Sequence, residues 1–305
     1  MVEEAVAAKP VGGGDVNLLH RAVLAEAVRL VQAVPVRTDG ALGHPALVAR
    51  ALEGSTLPRR HKVLSISLVV GLAVPGWWGA RLWQLRRSVE RYERYWSVPR
   101  GQAGGLRYVA LGDSTAQGIG ASRPERGYVA LLAQRLALAT GRPVQVVNLS
   151  RSGALVRDVV TEQLPRLADL SPEVVTVAVG ANDMLHYDPA RFRADVDSLI
   201  AGLPPDTLVG DVPWFMHGGT GRTSNETAEY VEKQARARGL PVARLHDTMR
   251  DRGWASMITD FAPDWFHPND RGHRLWADAF WAASTHSSWP TSGGRANGSA
   301  DAASR

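Results

Sequence analysis

Hydrophobic and polar positions change rhythm three times along this chain. Between Asn17 and Val34, Leu18, Leu19, Val23, Leu24, Val28 and Val31 recur at a helical period. Pro45 to Leu52 gives a weaker helical piece, so residues 1–60 read as a helical appendage in which no chemistry is visible. Val63 to Ala80 is a run of 18 residues without a charge. As a helix rising about 1.5 Å per residue it spans about 27 Å, near the thickness of a bilayer core. Arg59, Arg60 and Lys62 precede the run, Arg81, Arg86 and Arg87 follow it, and Trp77, Trp78 and Trp83 gather at its C-terminal end, where an aromatic belt sits. Pro75, Gly71 and Gly76 make it only moderately apolar, so a buried helix of a soluble domain is the competing reading. The expectation is a single transmembrane helix, hence a membrane-anchored protein. Basic residues are dense on both flanks. Their slight excess after the run weakly favours a cytoplasmic C-terminal domain, and the side stays open. Leu85 to Val98, with Tyr92, Tyr95 and Trp96 among arginines, predicts a basic amphipathic helix at the membrane surface, which completes a segment 61–104.

From Leu106 short apolar runs alternate with helical stretches. The predicted strands are Arg107–Leu111, Val144–Asn148, Val174–Val179, Thr207–Val212 and Val242–Leu245. The predicted helices are Gly127–Thr140, Val156–Leu170, Pro189–Leu203, Ser224–Gly239 and Asn269–Ala283. Buried strands without polar alternation, each followed by a helix, imply a five-stranded parallel sheet covered on both faces over 105–284. Ligands of such α/β folds bind outside the carboxyl ends of the strands. After Ser284 the Ser-, Gly- and Ala-rich residues 285–305 read as a disordered tail.

Composition narrows the chemistry. The chain has no cysteine, which excludes disulfides, thiol nucleophiles and thiolate metal sites. The net charge is +5, yet Gly105 to Ser284 carries 19 Lys and Arg against 21 Asp and Glu. The excess lies in Arg50 to Arg100, with 10 basic against 3 acidic residues around the apolar run. That placement suits anionic lipid headgroups, and no basic stripe elsewhere points to nucleic acid. Oligomeric state is not legible.

The first predicted strand ends in Gly112-Asp113-Ser114, with Gly118 and Gly120 close behind. A P-loop needs a G-x-x-x-x-G-K-[ST] pattern, and no lysine stands in this loop. A plain turn fits Gly-Asp-Ser-Thr on its own. A nucleophilic serine needs a base, and the base a carboxylate that orients it. Asp264 and His267 supply that pair at a spacing of three, just before a helix that Pro268 can begin. His273 is a rival base inside the helix, and Asp270 is a first-turn acid suited to the helix dipole. Oxyanion donors are also required. Gly153, in Asn148-Leu149-Ser150-Arg151-Ser152-Gly153, and Asn182, in Gly180-Ala181-Asn182-Asp183, follow the second and third strands. The Ser114 N–H is the third candidate. Each has a plainer reading as a turn or helix-cap residue. No cofactor is expected, and Asp183, His186 and Asp188 do not make a metal cluster. Trp214 and Phe215, after the fourth strand, are candidates for an acyl pocket or for core and turn positions.

Taken together, Gly112-Asp113-Ser114, Gly153, Gly180-Ala181-Asn182-Asp183 and Asp264-Trp265-Phe266-His267 resemble, in order, the four blocks of the SGNH hydrolases, also called GDSL esterases or lipases. The resemblance spans Arg107 to Ala283 and implies a flavodoxin-like three-layer αβα sandwich. It implies Ser114 as nucleophile, Asp264 and His267 as the rest of a triad, and Ser114, Gly153 and Asn182 as the oxyanion hole. It implies a small-molecule or lipid ester as substrate, with no metal. Two alternatives use the same chain: an O-acetyl esterase or acyltransferase acting on cell-envelope glycan, and a catalytically idle membrane-anchored binding protein.

Overall fold

The computed structural model describes Gly79 and residues 83–214, 218–285 and 287–290. The expected appendage 1–60, the apolar run Val63–Ala80 apart from Gly79, Phe215 and residues 291–305 lie outside the described residues. Among the described residues no helix is long and apolar enough to cross a membrane.

A six-stranded sheet forms the centre. Numbered in chain order, its strands are β1 (Arg100–Gly101), β2 (Leu106–Gly112), β3 (Val144–Asn148), β4 (Val174–Ala178), β5 (Leu208–Gly210) and β6 (Val242–Ala243). Their spatial order is β1-β3-β2-β4-β5-β6. The five expected strands are all present and parallel, and β1 adds an antiparallel edge through Arg100 opposite Val146. The parallel five run in the doubly wound order 2-1-3-4-5, with the chain reversing direction across the sheet at β2. That reversal opens a crevice at the carboxyl ends of β3, β2 and β4.

The sheet is buried on both sides because successive side chains alternate between two cores. Leu106, Tyr108 and Ala110 of β2 face one cluster, together with Tyr128, Leu132, Trp276 and Phe280. Val109 and Leu111 face the other, with Val175, Val177, Phe192 and Val196. The helices follow in chain order. A helix running through 83–96 is α1. The others are α2 (Ser114–Gln117), α3 (Tyr128–Thr140), α4 (Pro189–Gly202), α5 (Gly218–Ala237), α6 (Leu245–Arg250), α7 (Trp254–Thr259) and α8 (Asp270–Ser284).

Three departures from the sequence expectations have physical causes. The helix expected over Val156–Leu170 is broken into a single α turn, a π-helical turn over Val159–Gln163 and a 3-10 turn over Leu164–Leu167. Pro165 has no N–H for an α-helical bond, so the segment cannot stay regular there. Helix α8 begins at Asp270 rather than at Pro268, because the Asn269 side chain caps it by accepting from the Arg271 and Gly272 N–H groups. The expected tail from 285 starts as part of the fold: Trp289 is buried 6.4 Å from the Tyr108 ring, and Ser288 Oγ donates to Asp206 Oδ2 at 2.6 Å.

Helix α1 lies where a basic amphipathic helix was expected. Leu85, Ser88, Val89, Tyr92, Tyr95 and Trp96 form its inward stripe, at the spacing a packed helix requires. Tyr92 and Trp96 are buried and bond to Ala121 and Gln117, so this stripe packs on the α/β domain. Arg86, Arg87, Glu90, Arg91, Glu93 and Arg94 face outward.

Candidate active site

The serine lies where β2 stops. Gly112 ends the strand, and Asp113 caps the four-residue helix α2: its carboxylate accepts from Thr115 N at 2.9 Å and Thr115 Oγ1 at 2.7 Å. Burial raises the Asp113 pKa above its ordinary value. Ser114 is therefore the first residue of a helix, its N–H has no hydrogen-bond partner among the described residues, and its side chain projects from the strand end.

The histidine comes from a loop pinched at its base. Phe261 bridges to Pro268, and the Ala262 N–H donates to the His267 carbonyl at 2.7 Å. Within the pinch Trp265 takes a left-handed backbone, φ +52°, which turns Asp264 back onto the histidine. Asp264 Oδ1 accepts the Phe266 and His267 backbone N–H groups, each at 3.1 Å. Asp264 Oδ2 lies 2.5 Å from His267 Nδ1, and His267 Nε2 lies 2.8 Å from Ser114 Oγ. A carboxylate only accepts, so Nδ1 carries the proton and Nε2 is left to accept from the serine hydroxyl. Burial alone would raise the Asp264 pKa. The bond and charge of His267, with the two backbone N–H donors, outweigh it and hold the carboxyl below its ordinary value.

The two loops meet at Gly120. Its φ is +95°, and a Cβ there would stand 2.2 Å from the Pro268 carbonyl oxygen and 2.9 Å from the His267 Cβ. Only glycine lets the serine loop approach the histidine loop this closely.

The donors expected after the second and third predicted strands, here β3 and β4, are tied to the same place. Gly153 has φ +78°, and the space a Cβ would fill there is open. Its N–H has no hydrogen-bond partner among the described residues. Gln117 Nε2 donates to the Ser150 carbonyl at 3.0 Å and Ser152 Oγ donates to Gln117 Oε1 at 2.6 Å, which fastens the Gly153 loop to the serine helix. Asn148 reinforces the link, donating to the Ala116 carbonyl at 2.8 Å while its Oδ1 accepts from Ser150 N and Oγ. Asn182 opens a 3-10 turn, and its Nδ2 donates one hydrogen to the Ala154 carbonyl at 3.0 Å. An amide nitrogen has a second hydrogen to give. Asp183 instead braces the next loop, accepting from Val156 N at 3.2 Å, and burial lifts its pKa to about 6.

The remaining candidates part company with the site. His273 is fully buried, its Nε2 donates to the Ile119 carbonyl at 3.0 Å, and burial lowers its pKa to about 4, so it is a neutral packing residue. Asp270, expected to serve the helix dipole, also accepts from Ser122 N and Oγ and pairs with Arg126. Trp214 is partly buried and packs against the core cluster, and Phe215 lies outside the described residues. Among the described residues no group of three or more His, Asp or Glu side chains gathers for a metal. Gln163 went unnoticed in the sequence. From the π-helical turn it accepts the Gly112 N–H and donates to the Gly112 carbonyl, both at 2.8 Å. The signal it leaves is a polar residue on the apolar stripe of that segment, in line with Val156, Val159 and Leu167, which are buried as it is.

Similar folds occur among solved structures. A lipase from a goat rumen metagenome shares 17% identity at a TM-score of 0.51, covering 58% of this chain and 97% of that one. An alpha/beta hydrolase enzyme from the metagenome of Lake Arreo, Spain, shares 23% at 0.50, covering 60% and 96%. A member of the lipolytic G-D-S-L family from Veillonella parvula shares 20% at 0.50, covering 58% and 96%. At these identities the likeness is one of fold. No curated protein sequence matches the chain. Residues 110–275, more than half of the chain, match the GDSL-like lipase/acylhydrolase family, and the chain is an ester hydrolase that belongs to it.

Proposed function

We propose that this protein is a serine esterase of the lipase type, with Ser114, His267 and Asp264 as its triad. The observation that carries the reading is the unbroken line of hydrogen bonds from Ser114 Oγ through His267 to Asp264, at 2.8 and 2.5 Å. Ser114 Oγ attacks the ester carbonyl while His267 Nε2 takes its proton. Asp264 keeps the ring in the tautomer that can accept, and stabilises the imidazolium that forms. The carbonyl oxygen becomes an oxyanion held by the Ser114 N–H, the Gly153 N–H and the second hydrogen of Asn182 Nδ2. His267 then protonates the leaving alcohol, and water, deprotonated by the same ring, releases the acid.

The test is hydrolysis of p-nitrophenyl esters from acetyl to palmitoyl by the full chain and its Ser114→Ala variant. The variant is expected to lose on the order of 10⁶-fold in kcat. A variant as active as the parent would sink the serine mechanism. The preferred acyl length separates an esterase from a lipase and from an acetyl-specific enzyme.

The anchoring role proposed for Val63–Ala80 is supported by its sequence: 18 uncharged residues between basic flanks. Detergent should be needed to extract the full chain from membranes and not a chain lacking residues 1–80. Equal extraction of both in plain buffer would end that reading.

A further inference from the structure

Three backbone carbonyls behind the nucleophile, at alternate residues, each accept a hydrogen bond from a buried ring. Trp96 Nε1 donates to Gln117 O at 2.9 Å, His273 Nε2 to Ile119 O at 3.0 Å, and Tyr92 O–H to Ala121 O at 2.8 Å. Gly118 and Gly120, both at positive φ, alternate with these carbonyls and let the chain zigzag between the donors. The rings come from two different helices: Tyr92 and Trp96 from α1, and His273 from α8.

The bracing bears directly on Ser114. Helix α2 has four residues, too few to hold a helical shape without outside contacts. Its last residue, Gln117, is held by Trp96 through its carbonyl, while its side chain holds the Ser150 and Ser152 loop beside Gly153. A shift of this turn moves the serine oxygen, its N–H and Gly153 together. A misplacement of about 1 Å at a reacting group can cost about 10²-fold in rate. Helix α1 lies wholly outside residues 110–275, the part that the family match covers.

We propose that Tyr92 and Trp96 are positioning residues for the reaction, so that α1 sets the serine turn. The inference rests on Ser114 being the nucleophile. In the full chain, Tyr92→Phe removes one hydroxyl and Trp96→Phe one N–H donor and part of a ring. Active sites are counted by titration with a fluorophosphonate that labels the reactive serine, so kcat is read per competent molecule. Tyr92→Phe is expected to lower kcat about 3- to 10-fold and Trp96→Phe about 10- to 100-fold, with KM for p-nitrophenyl acetate within twofold and serine labelling slowed in parallel. A purely structural role would lower the melting temperature and the titrated fraction while leaving kcat per site unchanged. That result overturns the proposal. Should Trp96→Phe fail to fold, Tyr92→Phe decides alone: an unchanged kcat per site overturns the proposal and a lowered one supports it. Full activity in Ser114→Ala would sink the nucleophile and the brace together. Loss in Ser114→Ala with no loss in either ring variant sinks the brace alone.

Discussion

The serine turn and the histidine loop reach the same few ångströms by opposite means. The loop from Phe261 to Pro268 is built from neighbours: Asp264 bonds to Phe266 and His267, two and three residues on, and the pinch at its base joins residues seven apart. The turn from Gly112 to Ala121 leans on distant parts of the chain, with partners 21, 29, 51 and 154 residues away. One half of the site carries its geometry in its own sequence. The other half borrows geometry from helices on either side. A base need only find its carboxylate, whereas a nucleophile must present a hydroxyl and an N–H together, and four residues cannot fix both alone.

Breaking the local half has the larger effect on rate. Asp264→Asn places an amide against His267 Nδ1. The amide N–H favours the tautomer with its proton on Nε2, which no longer accepts from Ser114. The expected fall in kcat is about 10⁴-fold with little change in stability. Steady-state kinetics beside a thermal melt checks both, and a loss under tenfold would mean that the carboxylate is not what orients the ring.

Breaking the borrowed half shows first in stability. Gln163→Met keeps the volume and leaves the buried Gly112 N–H without a partner, while the Gly112 carbonyl keeps the Arg151 N–H at 3.2 Å. One such group costs about 1–3 kcal/mol, and that is the expected loss in urea unfolding. A change within 0.5 kcal/mol, the usual range of about ±0.5 for a surface substitution, would show that the turn does not need its distant clamp.

The smallest effect sharpens the contrast between two histidines six residues apart. His267 works in the local loop, and His273 stands fully buried under the serine turn with its pKa lowered to about 4. The unfolded chain takes up this proton near pH 6.5 and the folded chain only near pH 4. Stability from His273 is therefore complete above about pH 6.5 and lost as the pH falls toward 4, by about 3 kcal/mol in all. His273→Gln should flatten that part of the stability curve relative to the parent. Parallel curves between pH 6.5 and 4 would mean that His273 is accessible to protons in the folded protein.

The same division decides what was legible in the sequence. Asp264-Trp265-Phe266-His267 and Gly112-Asp113-Ser114 are short, and their residue types state their chemistry at fixed spacing. The parallel sheet was legible for a similar reason, since apolar runs such as Val174–Ala178 admit few other readings. Gln163, Tyr92 and Trp96 were not legible as parts of the site, because nothing local to a glutamine or a ring says which distant carbonyl it will meet. The stripe of α1 was visible as amphipathic, but periodicity identifies an apolar face without naming the surface that covers it. Lipid and protein are equally good answers until the fold supplies Ala121 and Gln117.

Strand β1 is only two residues long, yet it covers the outer edge of β3. Without it, β3 would present a bare row of N–H and C=O groups flanked by Val144 and Val146, a template on which a second copy can add a strand. Arg100 and the adjacent Pro99 close that edge with a charge and a residue that cannot extend the ladder. A piece trimmed to residues 110–275 discards the closure along with α1 and the first half of β2. Such a piece is expected to meet its neighbours through open backbone and to aggregate more readily than one that keeps β1.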